Sequence, residues 1–87
     1  MSMVGMDIAG VRQLSKLMLS KADEIESAAK QVQKQVNSVK WVGADANRYR
    51  DDWNTTQMNN VRQVTDSLRR AGRQAAKDAD QQEQASS

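Results

Sequence analysis

Residues 36–46 read Val36-Asn37-Ser38-Val39-Lys40-Trp41-Val42-Gly43-Ala44-Asp45-Ala46, and this stretch decides the fold. Upstream of it, apolar residues recur at alternating spacings of three and four: Ile8, Val11, Met18, Ala22, Ile25, Ala29, Val32, Val36 and Val39, with Ser15 as the one polar interruption. That is the 3.5-residue repeat of a helix packed along a seam, sustained for more than four heptads. The repeat breaks at Lys40-Trp41-Val42-Gly43. Glycine takes a positive φ without strain, so Gly43 can end one helix and reverse the chain into the next. A short turn between two long helices makes them antiparallel.

Working back from the turn, helix 1 is expected over about 8–40, with Asp7 as its N-cap and Met6 and Val11 placed as a hydrophobic staple. Its seam has two unlike columns. Ile8, Ser15, Ala22, Ala29 and Val36 are mostly small, whereas Val11, Met18, Ile25, Val32 and Val39 are bulkier. Small residues let a neighbouring backbone approach, which suits a tight helix pair. Leu14, Leu17, Leu19 and Ala28 add apolar surface beside the seam.

Working forward, the turn occupies 41–43 and helix 2 is expected over about 44–77. It carries Ala46, Tyr49 and Trp53, then Val61, Val64, Leu68, Ala71 and Ala75 at heptad spacing. The steps 53, 57, 61 form a stutter, which locally unwinds a supercoil, within a polar stretch of weak helix formers. Gly72 costs about 1 kcal/mol relative to alanine in a helix interior. Beyond Lys77 no large apolar residue remains, so 78–87 is expected to be a disordered tail. Asp52 is one turn from Arg48 and is expected to pair with it.

An all-α antiparallel hairpin of 87 residues with only Trp41, Trp53 and Tyr49 for aromatic bulk has little core of its own. Two protomers forming a four-helix bundle would cover the remaining stripes. The expected dimer core is Val11, Met18, Ile25, Val32, Val39, Trp53, Val61, Val64 and Leu68.

The chain has no Cys and no His, which removes thiol nucleophiles, imidazole bases and the usual zinc ligands. Asp51 and Asp52 are adjacent and so point in different directions around a helix. No enzyme activity, cofactor or metal is expected. Thirteen basic and eleven acidic residues leave a net charge of +2, and nucleic acid is not the expected partner despite the basic run Arg62, Arg69, Arg70, Arg73 and Lys77. The start of the chain lacks the charged and apolar segments of a cleaved signal peptide. Contact of Leu14, Leu17, Met18 and Leu19 with a membrane surface is an alternative use of the apolar residues.

The tripeptide Trp41-Val42-Gly43 at mid-chain, followed by Ala46, Tyr49 and Trp53 and flanked by helices of this length, resembles the WXG (ESAT-like) family of type VII secretion substrates. The resemblance implies a secreted, virulence-associated class of helical hairpin. It implies folding in the cytoplasm, a homodimer or a heterodimer with a related WXG-type protein, and export by a membrane-bound secretion ATPase. Trp41 and Gly43 would be the turn and secretion motif. The mycobacterial Tyr-x-x-x-Asp/Glu signal is missing after helix 2, since Tyr49 is the only tyrosine.

Overall fold

The computed structural model describes residues 5–86 and is helical almost throughout. Helix α1 spans Ile8–Ser38, α2 spans Ala44–Asp52, a π-helical turn spans Trp53–Gln57, and α3 spans Met58–Ser86. The last three make one continuous rod that runs back along α1, giving a hairpin 68 × 16 × 16 Å.

Asp7 starts α1 as its residue type requires, its carboxylate accepting from Gly10 N–H at 3.0 Å. Val39 leaves the helix with extended backbone, after its N–H donates to the Gln35 carbonyl. Gly43 is at φ 123°, and no atom lies within 4 Å of where a Cβ would sit. Its requirement for glycine is therefore one of backbone conformation and not of space.

The seam is built from the small column. Ser15, Ala22 and Ala29 are buried on α1, and Thr65, Gly72 and Ala79 on α3, each set at heptad spacing. Ala46 is buried on α2. At Gly72 the helices come close: a Cβ there would lie 3.1 Å from the Ser15 main-chain oxygen. A buried methyl contributes about 0.8 kcal/mol, against about 1.5–3 kcal/mol for a fully buried Val or Leu. The seam thus fixes how the helices lie together while leaving most of the larger side chains, Trp53 and Met58 apart, outside it.

Two expectations need correction, and one stripe is placed more finely. Val61, Val64, Leu68, Ala71 and Ala75 lie beside the contact between the helices, whose column on α3 is Thr65, Gly72 and Ala79, and Val64 is 55% exposed. Thr65 escapes a polarity-based reading because its hydroxyl donates back to the Arg62 carbonyl within the helix. The segment expected as a disordered tail from 78 is helical to Ser86, because Ala79 is fully buried and Arg12 grips Asp80 and Glu83. Residue 87 lies outside the described residues. Arg48 pairs with Asp45 at 3.4 Å, while Asp52 accepts from Gln57 instead.

The stutter takes a definite form. Ala46 and Trp53 are seven apart, as are Met58 and Thr65, but between Trp53 and Met58 the step is five. A π-helical turn, bonded i to i+5, absorbs that extra residue and brings Met58, Thr65, Gly72 and Ala79 into phase with Ala46.

Candidate interaction surface

A helix turns by about 100° per residue, so the seam positions fix what flanks them on either side. On one side of the two-helix layer lie Arg12, Leu19, Glu26 and Gln33 of α1, with Arg62, Arg69, Ala76 and Glu83 of α3. This face is bolted by polar contacts. Arg12 Nη2 meets Asp80 Oδ1 at 2.8 Å and Glu83 Oε1 at 3.1 Å. Arg69 Nη2 meets Asp23 Oδ1 at 2.9 Å and Glu26 Oε1 at 2.7 Å. Near the turn, Asn54 exchanges amide hydrogen bonds with Asn37 and accepts a third from Gln33.

The hydrogen bonds and charges of these arginines hold Glu83 and Glu26 below the usual carboxylate range. The carboxylates in turn push Arg12 and Arg69 up, so both stay charged at any ordinary pH.

The opposite face has the other chemistry. Val11, Met18, Ile25, Val32 and Val39 follow one another along α1, and Val61, Val64 and Leu68 along α3. Val11, Met18, Val61 and Leu68 are half-buried, whereas Ile25, Val32, Val39 and Val64 are exposed. Leu14 lies at the edge of the same face and is 43% exposed. The expected dimer-core residues, Trp53 excepted, are therefore brought together on one side of the hairpin. Trp53 shares the phase of Ala46 and belongs to the seam, half-buried, with its indole N–H enclosed and without a hydrogen-bond partner.

At the turn this face ends in aromatic rings. Trp41 and Tyr49 pack with centroids 5.4 Å apart at 50°. With Val32, Val36, Val39 and Gln35 they line a groove of about 260 Å³. Trp41 is 43% exposed and Val42 88%. Trp41 thus packs on Tyr49 beside the groove while leaving part of its side chain in solvent.

Arg50 completes the turn. Its Nε donates to the Val36 carbonyl at 3.0 Å and its Nη2 to the Val39 carbonyl at 2.8 Å. The Val36 carbonyl is among the last of α1, which accept no hydrogen bond within the helix, and Val39 is the residue that follows its end. The sequence reading missed Arg50, the two arginine clasps and the asparagine pair. All of them join residues whose numbers sum to a nearly constant value, the signature of antiparallel register, which is accessible only once the register is known.

Among the described residues no group of three metal-ligating side chains comes together, and no helix is long and apolar enough to cross a membrane. Comparison with family models, with curated proteins and with solved structures finds no match for this chain.

Proposed function

We propose that the chain is a non-enzymatic interaction protein that acts as a pair of hairpins, stacked through their apolar faces into a four-helix bundle, and is exported as that folded pair by a type VII route. The observation that carries the pairing is the division of the hairpin into one bolted polar face and one open apolar face. Contiguous exposed apolar surface on a small protein marks a partner site, and the column from Val11 to Val39 runs the length of α1. Helix-on-helix burial is the packing such a face is shaped for.

Export rests on the WXG-like turn: Trp41-Val42-Gly43 at a hairpin tip, with Gly43 in the conformation that only glycine adopts readily and Trp41 partly exposed. The partner is a second copy or a related WXG-type chain, and the engine is the secretion ATPase of that pathway.

The test has two arms. Ile25→Glu with Val64→Glu should leave helical hairpins that no longer pair. Trp41→Ala should keep the pairing and lower the amount of protein reaching the culture medium of a host with a type VII system. Pairing unaffected by two glutamates on the apolar face would refute the interface, and normal release of the Trp41 variant would refute the export reading.

A further inference from the structure

The rod made by α2, the π-helical turn and α3 meets α1 along two stretches that are out of step. Ala46 and Trp53 set the phase near the chain reversal, and Thr65, Gly72 and Ala79 set it along α3. A heptad seam advances by three or four residues at a time, whereas Trp53 to Met58 is a step of five. Five residues of regular α-helix turn through about 500°, which would leave Met58 about 140° away from the line through Trp53. In the structure the Met58 N–H donates to the Trp53 carbonyl five residues back, as well as to that of Thr55, so the ladder widens by one residue here. Two side chains mark the place. Asn54 is bonded to Asn37 and Gln33 of α1, and the Thr55 hydroxyl donates to the Asp51 carbonyl at 2.6 Å. Thr56, next in the chain, is exposed.

The consequence reaches the open apolar face. Regular helix carried on from Trp53 would bring Gln57, Val64, Ala71 and Asp78 to the seam, each one residue ahead of the residue found there. The Asp78 carboxylate would then stand where Ala79 is now fully buried, and a buried charge without a partner is costly. The same change turns α3 by about 100°. Val61, Leu68 and Ala75 move towards the polar face, and Asn60, Ser67 and Gln74, all exposed in the structure, take their place beside the column from Val11 to Val39. Arg69 is carried away from Asp23 and Glu26, which it meets at 2.9 and 2.7 Å.

We infer that the π-helical turn is a phase adaptor that assembles the pairing face. By taking up one surplus residue it lets α2 keep its seat on α1 while α3 presents Val61, Leu68 and Ala75, and not Asn60, Ser67 and Gln74, to a second hairpin. That presentation rests on the pairing proposed above, whereas the seating of α3 on α1 does not. The surplus is local: the rod can lose a residue at Thr56, while α1, whose repeat is unbroken, has none to give.

Single-residue deletions and an insertion in the full chain test this. Deleting Thr56 makes Trp53 to Met58 a step of four, which regular helix spans with Thr65, Gly72 and Ala79 still in phase. Its Tm should stay within about 5 °C of that of the unmodified chain, and its pairing constant within about 3-fold. Deleting Gln31, an equally exposed residue of α1, should lower Tm by more than about 10 °C. One alanine inserted between Thr56 and Gln57 imposes the rotated arrangement, and should lower Tm and weaken pairing by at least about tenfold. Thermal unfolding followed by circular dichroism reads the first effect and sedimentation equilibrium the second. A chain lacking Thr56 that is as damaged as the one lacking Gln31, or that fails to fold, would overturn the inference. So would an insertion variant that pairs as well as the unmodified chain. If the unmodified chain does not pair, the pairing reading falls by itself, and the two deletions still decide whether the turn sets the phase of α3.

Discussion

The main-chain oxygen of Ser15 lies 3.1 Å from the point where a Cβ on Gly72 would be placed, with Met18 Cβ and Leu19 Cγ each 3.3 Å from the same point. Gly72 is therefore a position of close approach between α1 and α3, and the helix-propensity cost of a glycine there is exchanged for that approach.

The usual gain of about 1 kcal/mol from Gly→Ala in a helix interior should fail at this site. Overpacking costs about 1–3 kcal/mol, so Gly72→Ala is expected to be neutral to about 2 kcal/mol destabilising, and Gly72→Val worse. Thermal unfolding followed by circular dichroism reads the difference. A rise in Tm for Gly72→Ala would show that the seam is looser than described.

Arg50 closes the end of α1 through two carbonyls, and a hydrogen bond from a charged group contributes about 1.5–3 kcal/mol when its acceptor is otherwise unserved. Discounting for the partial exposure of this turn, Arg50→Met should cost about 1 kcal/mol. Exchange should rise at the amides around 35–41 first. Lys at 50 should recover less than half of the loss, because it has no fork to span both carbonyls.

Acid should weaken the polar face in a defined window. Glu83 is lowered chiefly by the hydrogen bond from Arg12, with Asp80 opposing, and Glu26 chiefly by the hydrogen bond from Arg69, with Lys30 assisting. A carboxylate whose value falls on folding adds stability that is present above its unfolded value and lost as pH falls through the folded one. Tm should thus be flat above about pH 5 and decline as pH drops below the ordinary value of 4.5. The double variant Glu26→Gln with Glu83→Gln should show a shallower decline, measured against the unmodified chain at equal ionic strength.

Gly43 has open space around it and a φ of 123°. Any side chain there meets backbone strain alone, of order 1–3 kcal/mol. Gly43→Ala should lower Tm by that amount with helix content nearly unchanged, and Gly43→Asn should lose as much, because φ 123°, ψ 176° lies outside the left-handed helical region that asparagine tolerates; no loss in either variant would contradict the conformational account.

Much of the hairpin was legible in the residues. The 3,4 repeat gave α1 to within two residues at its C-terminal end, Gly43 gave the reversal, and Asp7 gave the start. The stutter at 53–61 marked where the π-helical turn lies, although spacing alone does not say that the chain solves it with an i to i+5 turn. What escaped was decided by contacts between distant positions. Hydrophobicity ranks Val64 above Thr65 and counts Gly72 as a defect, because neither closeness of approach nor a hydroxyl satisfied within its own helix is visible to it. The end of α3 reads as polar and tail-like until Arg12, 68 residues from Asp80, is found beside it. The apolar column from Val11 to Val39 was legible as a stripe, and the structure adds that it faces outward.

The central claim is that this outward face is covered by a second hairpin, and sedimentation equilibrium of the purified chain, alone and after co-expression with a neighbouring small gene product, tests it most directly. The account predicts a particle of two chains, about twice the 9.7 kDa of one, reverting to one chain in the Ile25→Glu, Val64→Glu variant. A stable, helical single chain in both preparations, up to the highest soluble concentration, would contradict it.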